Sequence, residues 1–472
     1  MFIEKRQIVD RMLSDNVWWQ DNSIESFFKA MHNRPYFKLF FPLVTERSIK
    51  RAVVLMGPRR VGKTVMLHHT IQSLIDNNIE SKKICYFSID TPTYSKIPLE
   101  ELLKIYIELN NFSKKDQLFV FFDEIQYLNN WENHLKSLVD TYHNIKFIVS
   151  GSAAAALKLK SNESGAGRFT DFILPPLSFY EYLVLRYKET QTEQFWNQNI
   201  NNNIDKLNIE FINFINFGGY PEISISNISQ ENINRYLKND IIDKVLLKDL
   251  PNLYGVQDIQ ELNVLFNYIA YNTGSEFSLD EISSNSGVAK NTIKKYLQYL
   301  EAAFLIHIVH RIDQNSKKFK KANFFKVYLT NTSLRSALFA PLNKQSPHFG
   351  NVVETAVYAQ YYHQRSELNN IYYARWNEGE VDVVKLDPIY QKPYYILEIK
   401  WSNRYAEDPK QLRKIFNYCK KNNLNTIHVT SIDIFKKIEY NDINILFIPV
   451  AYVALIESGM TFYLQNNLNN LI

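Results

Sequence analysis

Gly57, Pro58, Arg59, Arg60, Val61, Gly62, Lys63 and Thr64, followed by Val65, have the spacing G-x-x-x-x-G-K-[ST] of a phosphate-binding loop. Glycines at both ends let backbone amides close on phosphate oxygens. The start of the helix that follows the loop would add the positive end of its dipole. Lys63 would reach the β- and γ-phosphates, and Thr64 would bind magnesium. Downstream, the apolar run Leu118 to Phe122 ends in Asp123 and Glu124. Asp123 would hold the same magnesium through water, and Glu124 would orient or deprotonate an attacking water. The chemistry implied is hydrolysis of a nucleoside triphosphate, with ATP and Mg2+ as cofactors. Ser150 and Ser152 end a later apolar run and would sense the γ-phosphate, or merely form a Ser-Gly-Ser turn. Arg168, in a Gly-rich stretch, would serve as a catalytic arginine offered to a neighbouring copy, or as an ordinary solvated arginine.

A second set of residues lies far downstream. Asp382 follows Gly379-Glu-Val, and Glu398 and Lys400 form a Glu-x-Lys two residues apart. Strand alternation puts Glu398 and Lys400 on one face. With Glu354 on a preceding helix, the order helix acid, strand acid, Glu-x-Lys is that of the PD-(D/E)xK nuclease core. Asp382, Glu398 and Glu354 would share a second Mg2+ or Mn2+, with the Ile399 carbonyl as a further ligand. Lys400 would act as a non-ligand that positions water. Glu-x-Lys alone is common, and such domains often keep the fold without cleavage.

Elements must exist to hold these groups. Residues 1–48 read as an aromatic helical segment. Residues 49–175 alternate strands and helices, with strands at 51–56, 84–89, 118–122 and 145–150 and a helix from Val65 to Ile75. That pattern is a doubly wound α/β core with a parallel sheet. After Pro175 and Pro176, residues 176–255 read as helices and are expected to form a lid on that core. Residues 256–330 give helix, Gly287 turn, helix and hairpin, the order of a winged helix. Residues 331–472 give a second α/β domain, with strands at 371–375, 380–386, 394–401, 426–430 and 445–450.

The loop from Gly57 to Thr64, the Phe-Phe-Asp-Glu-Ile-Gln of residues 121–126 and Val-Ser-Gly-Ser of residues 149–152 resemble prokaryotic AAA+ ATPases. So do Ala-Gly-Arg-Phe of residues 166–169, Leu-Pro-Pro-Leu-Ser-Phe-Tyr-Glu of residues 174–181 and Gly-Gly-Tyr-Pro-Glu of residues 218–222. The relevant group carries a C-terminal winged helix and a restriction-endonuclease-like domain. The resemblance implies a P-loop AAA+ core with helical lid, winged helix and a second α/β, restriction-endonuclease-like domain. It also implies assembly of several copies. Arg60 departs from the glutamine associated with the family at that loop position, where no phosphate contact depends on it.

The chain has 472 residues, too many for one compact core. Its net charge of +5 permits nucleic-acid contact without demanding it. Lys290, Lys294 and Lys295 on the second helix, with Lys317, Lys318, Lys320 and Lys321 in the wing, would dock on DNA phosphates. DNA is the expected partner, with a protein partner as the alternative. Only Cys85 and Cys419 are present, in no metal-binding spacing. The first residues lack the apolar core of a secretion signal, and no apolar run reaches the roughly 20 residues a spanning helix needs. A cytoplasmic protein without membrane contact is expected. Three functions fit: an ATP-driven switch acting on DNA, an ATP-dependent metal nuclease, and a nucleotide-gated protein scaffold.

Overall fold

The computed structural model describes residues 4–113, 115–152, 167–187, 200–225, 230–318, 323–364 and 368–469. Lys320, Lys321 and the start of the Gly-rich stretch before Gly167 lie outside them. The chain divides into two compact units, Met1–Leu174 and Pro175–Ile472.

The first unit is built on five parallel strands: β1 (Ala52–Met56), β2 (Ile84–Ser88), β3 (Leu118–Asp123), β4 (Ile145–Gly151) and β5 (Phe169–Ile173), in the order β2-β3-β4-β1-β5. Helices Lys63–Asp76, Leu99–Leu109 and Trp131–Thr141 connect them. β1 and β3 are buried along their whole length, as continuous apolar runs in a parallel sheet require. β4 lies between β1 and β3, so the loop after β1 and the carboxylates after β3 flank the end of β4 at the carboxyl edge of the sheet. Sites in open α/β sheets lie at that edge.

The N-terminal helices cover the free edge of β2. Asn16 exchanges hydrogen bonds with Tyr86, Nδ2 donating to Tyr86 O at 3.0 Å and Tyr86 N donating to Oδ1 at 2.7 Å. The indole N–H groups of Trp18 and Trp19 both donate to Ile84 O, at 3.1 and 2.8 Å. A paired edge is closed to further strands.

The second unit holds a nine-stranded sheet in the order β13-β14-β12-β11-β10-β9-β7-β8-β6. Its strands are β6 (Glu276–Ser278), β7 (Ile306–Ile312), β8 (Phe324–Leu329), β9 (Ile371–Trp376), β10 (Gly379–Leu386), β11 (Pro393–Glu398), β12 (Thr426–Ser431), β13 (Lys436–Tyr440) and β14 (Ile443–Pro449). Residues 259–329 run helix, β6, helix Leu279–Ser286, helix Lys290–Ala302, then the β7–β8 hairpin. β6 pairs antiparallel with β8. β7 pairs in parallel with β9 at Arg311 and Ile312, joining this segment to the C-terminal strands in one sheet. Residues 176–255, expected as a lid, group with this second unit. Phe179 N donates to Gln360 Oε1 at 2.9 Å and Tyr180 N to Ser458 Oγ at 3.0 Å, so the helix Phe179–Tyr187 is tied to helices Phe349–Tyr361 and Val450–Asn469. Among the described residues no helix is long and apolar enough to cross a membrane.

Candidate functional site

The loop from Gly57 to Gly62 is framed by two constraints. A Cβ on Gly57 would stand 2.2 Å from Leu174 O, so no side chain fits there. Gly62 sits at φ +92°, a left-handed conformation that glycine adopts without strain. Arg60 is also left-handed, at φ +64°. Buried Arg34 donates from Nη1 to Val61 O at 2.8 Å and fixes the loop from behind.

Lys63 and Thr64 open the Lys63–Asp76 helix. Lys63 Nζ donates to Gly57 O at 3.2 Å and Pro58 O at 2.9 Å, folded back across its own loop. Thr64 Oγ1 donates to Asp123 Oδ2 at 2.7 Å. Asp123 is buried and also accepts from Tyr86 Oη at 2.8 Å, Ser150 Oγ and the Glu124 amide at 3.1 Å. Its carboxylate is thereby fixed in position at the end of β3. Burial and the Asp123 charge keep the Tyr86 phenol well above its ordinary pKa, so it stays a donor.

Glu124 takes φ +54°, uncommon for a residue with a side chain and a store of strain at such sites. Burial raises its pKa; the Lys63 ammonium pulls it down and the Asp123 charge pushes it up. Gln126 Nε2 donates to Glu124 Oε2, while Gln126 Oε1 accepts from Ser152 N at 3.1 Å. Gln126 therefore bridges the carboxylate after β3 and the residue after β4.

The structure thus brings together Lys63, Thr64, Asp123, Glu124, Ser150 and Ser152. It places Arg168 elsewhere. Arg168 precedes β5 at the amino edge of the sheet, where its carbonyl accepts from Ala52 N and its guanidinium pairs with Asp140 at 3.1 Å. Arg34, Tyr86 and Gln126 were not singled out by sequence. A tyrosine inside an apolar strand reads as core, and Gln126 carries no spacing signal. β5 escaped notice because Thr170 and Asp171 break its apolar run.

In the second unit, Glu354, Asp382, Glu398 and Lys400 also converge. The β9–β10 register slips between Val381 and Val384, a bulge that re-aims Asp382. Extending the Val383–Leu397 pairing by one residue puts Asp382 opposite Glu398. Asp382 Oδ2 accepts from Ile399 N at 2.8 Å and Lys400 Nζ at 3.2 Å. Lys400 Nζ lies 2.8 Å from Glu398 Oε1, while Glu398 Oε2 is buried without a hydrogen bond.

A second lysine completes the cluster. Lys326, from β8, has a side chain 4% exposed and lies 2.8 Å from Glu354 Oε1, 2.5 Å from Glu380 Oε1 and 3.7 Å from Asp382 Oδ1. Tyr328 Oη adds a 2.6 Å hydrogen bond to Glu354. Burial pushes Glu354 up to about 7 against the pull of Lys326, and pushes Glu398 up to about 8 with help from Asp382. Burial raises Asp382 too, but Lys400, Lys326 and the Ile399 amide outweigh it and hold it below its usual range. Asp382 is thus the carboxylate most firmly ionised among these three. The expectation of a second metal meets a different arrangement: among the described residues no group of three or more His, Cys, Asp or Glu side chains is placed to hold a metal. Two ammonium groups stand among these acids. The signal for Lys326 was its charge inside the apolar run Phe324 to Leu329.

Of the basic residues read as DNA contacts, Lys294 and Lys295 are exposed on the Lys290–Ala302 helix, and Lys290 pairs with Asp280.

Residues 49–183 match a family model described as an AAA domain, and residues 208–346 match a domain of unknown function (DUF8612). An uncharacterized protein of Methanocaldococcus jannaschii is 27% identical over 82% of this chain and 84% of its own length. One of Haemophilus influenzae is 23% identical over 84% of this chain and 92% of its own length. The structure of the Aeropyrum pernix Orc1 protein in complex with DNA aligns with TM-score 0.30 and 10% identity, over 68% of this chain and 95% of that one, too weakly to carry an argument. The AAA-domain match, together with a parallel sheet bearing a phosphate loop, supports an AAA+ ATPase relationship for the first unit.

Proposed function

We propose that the protein is an ATP-binding and ATP-hydrolysing AAA+ switch that acts on DNA through residues 256–472. The observation that carries the ATPase reading is the 2.7 Å bond from Thr64 to Asp123. It sets the two expected magnesium ligands side by side, next to Lys63 and one residue from Glu124. The donor set fits the group it would hold: loop amides and an ammonium for phosphates, hard oxygens for magnesium. When bound, the metal would supply charge neutralisation at the phosphates. Lys63 would leave its own loop carbonyls for phosphate oxygens, and Glu124 would take a proton from water. Arg168 would act only on a neighbouring copy in a homo-oligomer. Lys63→Ala should lose nucleotide binding, read by calorimetry with ATP, and unchanged affinity would remove Lys63 from the site. A parent ATPase rate that rises with added duplex or single-stranded DNA supports the DNA reading; a rate indifferent to DNA, with no shift in a binding assay, counts against it.

The helix–strand–helix–helix–hairpin order of residues 259–329 and the exposed Lys294 and Lys295 support a winged helix that docks on DNA phosphates. A second reading, an ATP-dependent nuclease, is favoured by the convergence of Asp382, Glu398 and Lys400. A divalent ion, Mg2+ or Mn2+, would have to compete with Lys326 for Glu354 and Asp382. The check is cleavage of labelled duplex in Mg2+ or Mn2+ by the parent, Asp382→Ala and Lys400→Ala. Loss in both variants supports a cutting site; equal cleavage by all three excludes it.

A further inference from the structure

At the amino edge of the first sheet, opposite the phosphate loop, lies a small open cleft of about 30 Å3 lined by Arg47, Lys50, Arg51, Tyr142, His143 and Lys146, among others. We propose that this cleft is an anion site that takes a phosphate group, separate from the nucleotide site. The two are held apart by the length of β1. Arg51 stands at its foot and Gly57 at its head, about 20 Å apart at the usual rise per strand residue.

The cleft is built as well as charged. Lys146 is 7% exposed, an unusual burial for a lysine. Its ammonium donates to Glu46 O at 2.8 Å, leaving two further N–H groups for a ligand. Burial lowers Lys146 to about 8; Glu46 offsets that in part, and the neighbouring Arg47 adds to it. A cation held at such a cost is relieved by an anion. Arg47 lines the same cleft. Its Nη1 and Nη2 donate to Asn144 O and Leu118 O at 3.2 and 3.3 Å, and its guanidinium lies 4.2 Å from the centre of the Phe119 ring. Lys50 and Arg51 are exposed at the rim.

Of the carboxylates nearby, Glu46 is felt by Lys146 but does not line the cleft, and each has a partner of its own. Glu46 Oε1 accepts from Ser48 N at 2.6 Å, Asp140 pairs with Arg168, and Glu100, which accepts from Tyr142 Oη, pairs with Lys104. No acid lines the cleft itself among the described residues. Convergent ammonium and guanidinium donors select a compact, multiply charged oxyanion, and phosphate meets that description. A free polyphosphate and a nucleic-acid backbone both present it.

The test uses the full chain with its phosphate loop saturated with ADP and Mg2+. Tripolyphosphate binding is read by calorimetry, and binding of a fluorescein-labelled single-stranded oligonucleotide by anisotropy. The variants are Lys50→Glu with Arg51→Glu, both at the exposed rim, and Lys146→Met, with melting temperatures checked. Lys294→Glu with Lys295→Glu serves as control for binding in the second unit. Removal of two rim cations should weaken the bound probe at least about tenfold, while the control pair leaves tripolyphosphate unchanged. Tripolyphosphate binding that the oligonucleotide does not displace identifies a free anion as the source. Oligonucleotide binding weakened by the Lys50→Glu, Arg51→Glu pair identifies a nucleic-acid backbone. Absence of binding by both probes, or equal binding by parent and rim variant, overturns the proposal.

Discussion

Glu124→Gln binds ATP like the parent and hydrolyses it about 10²–10⁴-fold more slowly, the usual contribution of a positioned general base. The substitution keeps the shape of the side chain. Gln126 Nε2 still finds an amide oxygen to donate to at residue 124, so the bridge to Ser152 N survives. Asp123, Thr64 and Lys63 are untouched, and with them the groups that would hold the triphosphate. What disappears is a carboxylate able to accept a proton. The pH profile offers an independent reading. Burial raises Glu124 above the ordinary carboxylate range, and a base works only when ionised. The parent rate should therefore climb as pH rises through that raised value, and this limb should vanish in Glu124→Gln. The measurements are equilibrium binding of labelled ATP and single-turnover hydrolysis from about pH 5 to 8. Normal turnover in Glu124→Gln would move the base to another residue.

The parts of this protein that sequence made legible are those where chemistry and periodicity coincide. The loop from Gly57 to Thr64 announces itself because its glycines answer to backbone geometry. β1 and β3 are legible because strands covered on both faces must be continuous apolar runs. What stayed hidden depends on pairings that no spacing encodes. Tyr86 reaches Asp123 only because β2 and β3 are neighbours in register, Ser88 beside Asp123. Arg34 reaches Val61 across 27 residues of chain. β6 has three residues, and β13 is an edge strand with exposed lysines at Lys436 and Lys437, too short or too polar to show a strand pattern. The grouping of residues 176–255 with the second unit was equally unreadable, because Gln360 and Ser458 accept hydrogen bonds from a helix far away in the chain.

Lys326→Met should destabilise the second unit by about 3–5 kcal/mol, the cost of leaving buried charges without their partner. That is a large share of the stability of an ordinary domain, about 5–15 kcal/mol. The size follows from the geometry. Lys326 is the ammonium shared by Glu354, Glu380 and Asp382, and without it Glu354 keeps only the Tyr328 hydroxyl while Asp382 keeps Lys400 and the Ile399 amide. The loss should depend on pH with a definite sign. Glu354 at about 7 and Glu398 at about 8 lie above their unfolded values near 4.3. A carboxyl whose pKa is raised on folding favours the folded state below its unfolded pKa, and that advantage disappears as pH climbs through the folded value. Removing the Lys326 charge raises Glu354 further, so the variant should lose more at pH 8 than at pH 6, where the folded carboxyl can hold its proton. Lys326→Met with Glu354→Gln removes both ends of one pair and should recover part of the loss at pH 8. Urea unfolding of the full chain, followed by tryptophan fluorescence at both pH values, reads all three proteins. A Lys326→Met chain as stable as the parent at pH 8, or one more destabilised at pH 6 than at pH 8, would mean that Lys326 does not balance this cluster. The acids around it would then be free to serve a metal after all.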